Sequence, residues 1–178
     1  MRLFFIRAFR AAKLDASLFE EVMADPKAMT QAMIAVFLYS SAVAYGIFGR
    51  AGVARINSAI FITLIGWYIW AFTTYFVGVR LFPETTTTAD RKAFMRAMGF
   101  ASSPGWLCLL GLVPGTGGAV LVGASVWMIV ASVVAVKKAL NYTSTYRAAV
   151  ITVACWIPSF LFQGMMAILV LSAFGISE

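Results

Sequence analysis

The sequence has few charged residues and no histidine. Only 12% of its 178 residues are charged, whereas soluble domains are usually about 25% charged. The mean hydropathy of +0.89 agrees with this deficit. The composition therefore excludes an ordinary soluble domain and predicts an integral membrane protein.

The chain also lacks the groups on which most enzymatic sites depend. Its two cysteines, Cys108 and Cys155, are isolated in apolar stretches, and the acidic and basic residues lie outside those stretches or at their ends. Gln163 is the one strongly polar amide in the middle of an apolar stretch. No metal-ligand cluster, disulfide framework or phosphate-binding glycine motif is present. We therefore predict no enzymatic activity, no catalytic residue, no metal and no cofactor.

The longest uncharged stretch runs from Gly99 to Val136, with basic residues before and after it. A breaker, Pro114 to Gly118, lies near its middle. Two passes of about 19 residues match a hydrocarbon thickness of about 30 Å at about 1.5 Å per helical residue. The stretch therefore predicts a membrane hairpin with both ends on one side. A re-entrant element that never crosses is the alternative.

We predict an all-α polytopic membrane protein with five transmembrane helices and an N-terminal amphipathic segment. Residues 1–28 form the segment and residues 29–178 the membrane domain. The predicted spans cover residues of about 30–49, 59–81, 99–114, 117–136 and 148–174. Five spans leave 12 Lys and Arg on the N-terminal side and two on the other. The positive-inside rule then places the N-terminus in the cytoplasm and the C-terminus outside.

Two short helical segments are predicted outside the spans. The apolar residues of 1–28 recur at helical spacing and end at Asp25-Pro26. This segment is expected either to lie on the membrane interface or to pack under the bundle, and periodicity alone leaves both open. A short basic helix before the third span is expected to be capped by Thr88 or Asp90.

The net charge of +7 indicates a preference for anionic lipid rather than nucleic acid, because the basic residues flank the spans. The predicted lipid-surface contacts are Arg2, Arg7, Arg10, Lys13, Arg91, Lys92, Arg96, Lys137 and Lys138.

Small residues recur every seven positions in the fourth predicted span, so they share one helix face. A pair of glycines four positions apart precedes them, and small residues let membrane helices approach closely. The predicted helix-packing positions are Gly111, Gly115, Gly118, Ala124, Ser125, Ala131 and Ser132.

Several motifs resemble one family. Asp25-Pro26 is followed by the motif Arg96 to Phe100, by Pro104 within the third predicted span and by Pro114 at its end. The family-like positions are Asp25, Pro26, Arg96, Gly99, Phe100, Pro104 and Pro114. On these residues the chain resembles the Yip family, in its bacterial branch, over roughly residues 15–175. The resemblance implies a five-helix bundle with a cytoplasmic N-terminus, in a bacterial inner (cytoplasmic) membrane.

The resemblance also implies a non-enzymatic role in trafficking or membrane shaping. Eukaryotic members interact with Rab/Ypt GTPases and carry a long cytosolic N-terminal region. This chain lacks that region, which argues against a GTPase partner. We expect a protein that organises lipid or scaffolds partner proteins, as a homo-oligomer or with another membrane protein. The alternative is a small uncoupled transporter or channel, or an accessory subunit, with Pro104 and Pro158 kinking spans around a cavity.

Overall fold

The computed structural model describes residues 1–49, 52–85, 87 and 90–173. Regular structure within these ranges is entirely helical. The α-helices are α1 (Arg2–Ala12), α2 (Ala16–Ala24), α3 (Ala28–Phe48), α4 (Val53–Phe76), α5 (Arg91–Ala101), α6 (Gly117–Ala139) and α7 (Thr145–Ala173). A π-helical turn, Val77–Leu81, extends α4, and a 3₁₀-helical segment, Ser103–Leu112, follows α5.

Four helices in the described part of the chain are long and apolar enough to cross a membrane. They are Ala28–Phe48, Val53–Leu81, Gly117–Ala139 and Thr145–Val170. The predictions of an all-α architecture and of a membrane protein are confirmed. Four of the five predicted spans overlap these helices, the last of them as far as Ala173, because Phe174 lies outside the described residues. The remaining predicted span, residues 99–114, is the third in chain order and overlaps none of the four helices.

The predicted span over residues 99–114 is two helical segments instead of one. Helix α5 ends at Ala101, and Pro104 stands in the first turn of the 3₁₀ segment, where the missing amide of proline costs no hydrogen bond. The hydroxyl of Ser102 donates to Gly99 O at 2.6 Å, and that of Ser103 donates to Phe100 O at 2.7 Å. These bonds add to the one that Ser102 N donates to Gly99 O at 3.3 Å, at the end of α5.

The 3₁₀ segment runs beside α3 and in the same direction. A Cβ built on Gly99 would lie 2.7 Å from Ala32 Cβ, and one on Gly105 would lie 2.2 Å from the ring of Tyr39. Further along, a Cβ on Gly46 would lie 2.0 Å from Cys108 O. The stretch from Gly99, at the end of α5, to Cys108 in the 3₁₀ segment therefore contacts α3 from Ala32 to Gly46. Ten 3₁₀ residues rise about 20 Å, at about 2.0 Å per residue.

Polar side chains inside the bundle bond to backbone atoms of neighbouring helices. Trp70 Nε1 donates to Thr152 O at 2.9 Å, and the Ser159 hydroxyl donates to Gly66 O at 2.7 Å, so both join α4 to α7. The Tyr142 hydroxyl lies 2.7 Å from Gly78 O, at the π-helical turn. Such pairing lowers the cost of burying polar groups in a bilayer, where no water is available to satisfy them.

The predicted small-residue face of α6 is only partly a packing face. Ala124, Ala131 and Ser132 are buried, and Ser125 is half-buried. Gly111 also packs closely, because a Cβ there would lie 2.8 Å from Gly46 O.

The packing role predicted for Gly115 and Gly118 is not supported. Both are exposed, and an added Cβ would meet nothing within 4 Å. Gly115 instead adopts φ of +84°, a turn conformation that only glycine reaches without strain.

Candidate functional site at the hairpin of α1 and α2

Helices α1 and α2 form a hairpin that packs along one side of the bundle. The turn passes through Leu14, at φ +62°, and Asp15 caps α2 by accepting a hydrogen bond from Ser17 N. The residues of the hairpin that pack inward are Phe4, Ala8, Ala11, Leu18, Phe19 and Val22, and all are buried. They lie against α5, α6 and the 3₁₀ segment. The alternative in which this segment packs on the bundle therefore describes one face of the hairpin.

The opposite face of α1 is exposed and carries four large apolar side chains together with the cation Arg2. Leu3, Phe5, Ile6 and Phe9 are 46–61% exposed. Exposed large side chains in a continuous patch are typical of a surface that meets lipid or a partner. The alternative in which the segment meets the membrane stays a prediction for this second face.

Arg7 is buried at the centre of the hairpin and pairs with residues of α2, of the turn after α2 and of α3. Its Nε donates to Glu21 Oε1 at 2.9 Å, its Nη2 lies 2.9 Å from Asp25 Oδ2, and its Nη1 donates to Gln31 Oε1 at 3.1 Å. The arginine therefore ties α1 to the end of α2 and to the start of α3. With only 5% of the residue exposed, the lipid contact predicted for Arg7 is corrected to an internal ion pair.

Arg96 holds the end of α2 against α5. It is buried, and it donates from Nε to Val22 O at 2.9 Å and from Nη2 to Met23 O. Carbonyls in the last turn of a helix have no partner within the helix, so this guanidinium caps α2 from outside. The lipid contact predicted for Arg96 is corrected in the same way: its charge is used inside the protein.

Three of the other predicted lipid-surface residues also have partners in the protein. Arg10 pairs with Asp15 at 2.7 Å and Glu21 at 2.5 Å, and Lys138 Nζ lies 2.6 Å from Glu20 Oε1. Lys137 donates to the hydroxyl of Thr145. The remaining four, Arg2, Lys13, Arg91 and Lys92, are exposed and form no ion pair within the described ranges. For these residues the lipid contact stays a prediction.

Most of the family-like positions lie in one of two places. The first is the junction of the hairpin with the bundle, formed by Arg7, Glu21, Asp25 and Arg96, and the second is the packing of the 3₁₀ segment. Asp25 accepts from Lys27 N at the turn containing Pro26 and pairs with Arg7, while Phe100 is fully buried 6.4 Å from the ring of Phe4. Pro114 lies exposed in the turn before α6.

The N-cap predicted for the short basic helix is confirmed at Asp90. Its carboxylate accepts hydrogen bonds from Lys92 N at 3.0 Å and Ala93 N at 3.2 Å, at the start of α5. A side-chain oxygen in this position satisfies amides that the first turn leaves free. The alternative cap, Thr88, lies outside the described residues.

An apolar groove lies between α1, the 3₁₀ segment and α6. Its volume is about 770 Å³, and its lining is Phe5, Ala8, Phe9, Ala12, Lys13, Ser103, Pro104, Trp106, Leu107, Leu109, Leu110 and Trp127. Trp127 Nε1 donates to Ala12 O at 2.8 Å and Trp106 Nε1 donates to Ala35 O at 3.0 Å, so both rings are held in place. Among the described residues, no cluster of His, Cys, Asp or Glu is arranged to hold a metal.

The carboxylates of the junction predict an acid-sensitive hairpin. Hydrogen bonds from Arg10 and Arg7 lower the pKa of Glu21, and the bond from Arg7 lowers that of Asp25. The bonds from Ser17 and Arg10 lower the pKa of Asp15 to about 2. Because these pKa values are lower in the folded state, the ionised carboxylates stabilise the docked hairpin at a pH above the ordinary carboxylate pKa values. This contribution is lost as the pH falls through the lowered pKa values.

Amide hydrogen exchange in α1, corrected for its intrinsic pH dependence, measures this effect. We expect constant protection from neutral pH to about pH 5 and a loss below about pH 4. The variant Glu21→Gln/Asp25→Asn is expected to be less protected at neutral pH and to lose less protection in acid. A loss centred near pH 6–7 contradicts the assignment, since no junction carboxylate titrates there.

Comparison with protein-family models identifies one match. The model described as the Yip1 domain matches residues 15–175. Helix α1 lies before this range, which includes Asp25, Arg96 and the close contact of the 3₁₀ segment with α3. Comparisons with curated proteins and with solved structures give no match. Because the match covers most of the chain and the described fold contains four apolar helices of spanning length, the chain belongs to the Yip1 domain family of membrane proteins.

Proposed function

We propose that this protein is a non-enzymatic membrane protein that organises and shapes the bilayer through the α1–α2 hairpin. Members of the family are generally non-enzymatic. The observation that carries the proposal is the position of the hairpin, which lies beside only one half of the membrane bundle.

That position follows from three bonds. Trp127, which bonds to Ala12, is the eleventh of the 23 residues of α6, and Lys138, which bonds to Glu20, lies at the end of the same helix. Arg96, which bonds to the end of α2, lies at the same basic end of the bundle. The hairpin therefore widens the protein from about its middle to its basic end, and an amphipathic helix that enlarges one leaflet alone favours curvature.

We place the basic end in the cytoplasm of a bacterial inner membrane, with five passes, a cytoplasmic N-terminus and an external C-terminus. The parallel contact with α3 supports a fifth pass, because α5 contacts α3 at Ala32 and the 3₁₀ segment then follows α3 from Tyr39 to Gly46. The excess of Lys and Arg at one end supports the orientation. Four exposed cations, Arg2, Lys13, Arg91 and Lys92, favour anionic lipid, each by about 1 kcal/mol.

Protein partners and the transporter alternative stay predictions. A second copy of the chain or another membrane protein is compatible with the exposed apolar residues. Gln163 lines a groove of about 230 Å³ between α3, α4 and α7.

The size of reconstituted vesicles tests the proposal. In vesicles of phosphatidylglycerol and phosphatidylcholine, we expect the protein to reduce the mean diameter or to form tubules, as seen by electron cryomicroscopy. Leu3→Ser/Ile6→Ser is expected to abolish the reduction, because it removes apolar side chains from the exposed face of α1. Phe61→Ser/Ile65→Ser is the matched control, since both residues are exposed on the spanning helix α4.

Two results would overturn the shaping role. One is a wild-type protein that leaves vesicles at the protein-free diameter in spite of correct insertion. The other is an α1 variant that reduces the diameter as strongly as the wild type does.

A further inference from the structure

We infer that the groove between α1, the 3₁₀ segment and α6 binds one anionic phospholipid, with an acyl chain along the groove and its phosphate group at Lys13. The inference rests on the proposed function, because it takes α1 as an element that faces lipid. It goes beyond that function by naming a single stoichiometric site, in place of a surface that meets lipid in general.

The size and chemistry of the groove fit an acyl chain. Its volume of about 770 Å³ falls within the range of about 300–1,000 Å³ for small-molecule sites. Its lining is apolar except for Lys13 and Ser103, and the Ser103 hydroxyl already donates to Phe100 O. A buried water needs two to four polar partners, which this lining does not offer. In a membrane the available apolar molecules are the lipids themselves.

The walls of the groove are held by contacts on their far sides. The ring of Phe4 packs 5.7 Å from that of Trp106, whose indole bonds to Ala35 O in α3. The Trp127 indole bonds to Ala12 O and so fixes α1 against α6. A site formed before binding saves the ordering cost that a flexible surface would pay, which favours a retained lipid over a freely exchanging one.

The charge at the groove selects an anionic head group. Lys13 is exposed, and its Nζ lies 4.6 Å from the centre of the Phe9 ring, within the lining. The neighbouring Arg10 is already paired with Asp15 and Glu21. Lys13 is the charged residue of the lining. It follows Ala12, which bonds to the middle of α6, so its long apolar stem has to extend toward the basic end for the ammonium group to meet a phosphate.

Native mass spectrometry after detergent washing tests the site with phosphatidylglycerol and phosphatidylcholine as probes. We expect the wild type to retain one phosphatidylglycerol. Leu107→Trp and Leu110→Trp are expected to reduce retention at least tenfold, because the larger side chain fills the groove. Phe61→Trp, on the exposed face of α4, is the matched control and keeps the lipid. Lys13→Gln is expected to keep a lipid but to lose about fivefold of the preference for phosphatidylglycerol.

The outcomes separate this inference from the proposed function. If both groove-filling variants elute as folded protein and retain the lipid as the wild type does, the inference is overturned. Reduced vesicle diameters with no retained lipid also overturn the groove site and leave the shaping role. A retained lipid that the groove variants displace, without any change in vesicle diameter, supports the site and removes the shaping role.

Discussion

Replacing Gly46 with alanine is expected to lower the stability of the bundle by about 3 kcal/mol, at the upper end of the usual cost of overpacking. The new Cβ would lie 2.0 Å from Cys108 O and 2.9 Å from Cys108 C. Both are backbone atoms, so no side-chain rotation relieves the clash and α3 must separate from the 3₁₀ segment. The melting temperature in detergent, followed by tryptophan fluorescence, should fall by roughly 6–12 °C.

Gly123→Ala in α6 provides the control for this experiment. A Cβ there meets nothing within 4 Å, and alanine favours a helix over glycine by up to about 1 kcal/mol. The control is therefore expected to melt at or slightly above the wild-type temperature. Equal melting temperatures for Gly46→Ala and the wild type would show that the close contact between α3 and the 3₁₀ segment is wrong.

The Arg96→Met variant is expected to detach the α1–α2 hairpin while the spanning helices stay folded. Methionine removes two hydrogen bonds from a charged donor, each worth about 1.5–3 kcal/mol, and leaves the carbonyls of Val22 and Met23 unpaired. Hydrogen exchange in α1 and α2 should therefore accelerate by roughly 30-fold or more, which corresponds to about 2 kcal/mol. Exchange in α4 and α7 should change little.

Two further variants make the result specific. Arg96→Lys keeps the charge but lacks the planar fork of the guanidinium, so we expect a partial acceleration. Arg91→Met removes an exposed arginine of the same helix, which has no ion pair in the described ranges, and should leave exchange unchanged. An equal acceleration in all helices of Arg96→Met would point to general destabilisation and contradict the proposed role in docking.

The composition and the lengths of the apolar stretches were enough to predict the class of protein and four of its long helices. These properties are local, because a stretch of about 20 apolar residues has few stable environments other than a bilayer. The N-cap at Asp90 is local for the same reason, since its carboxylate reaches amides only two and three residues away.

The predicted span over residues 99–114 is the one that composition and length did not predict correctly. Residues 103–112 are as apolar as a span, but their 3₁₀ conformation is accompanied by the close contact with α3 at Gly105 and Gly111. Hydropathy does not distinguish an α-helix from a 3₁₀-helix, so a prediction based on the length of an α-helix could not find this difference.

The candidate site could likewise be predicted from the sequence only in part. The sequence alone determined that basic residues gather at the ends of apolar stretches, and it singled out Asp25 and Arg96 as family-like. Only the tertiary structure decided that Arg7 and Arg96 are buried, because their partners lie 14 to 74 residues away along the chain. A charge count treats every arginine alike, whereas the fold separates those that hold the hairpin from those left to meet lipid.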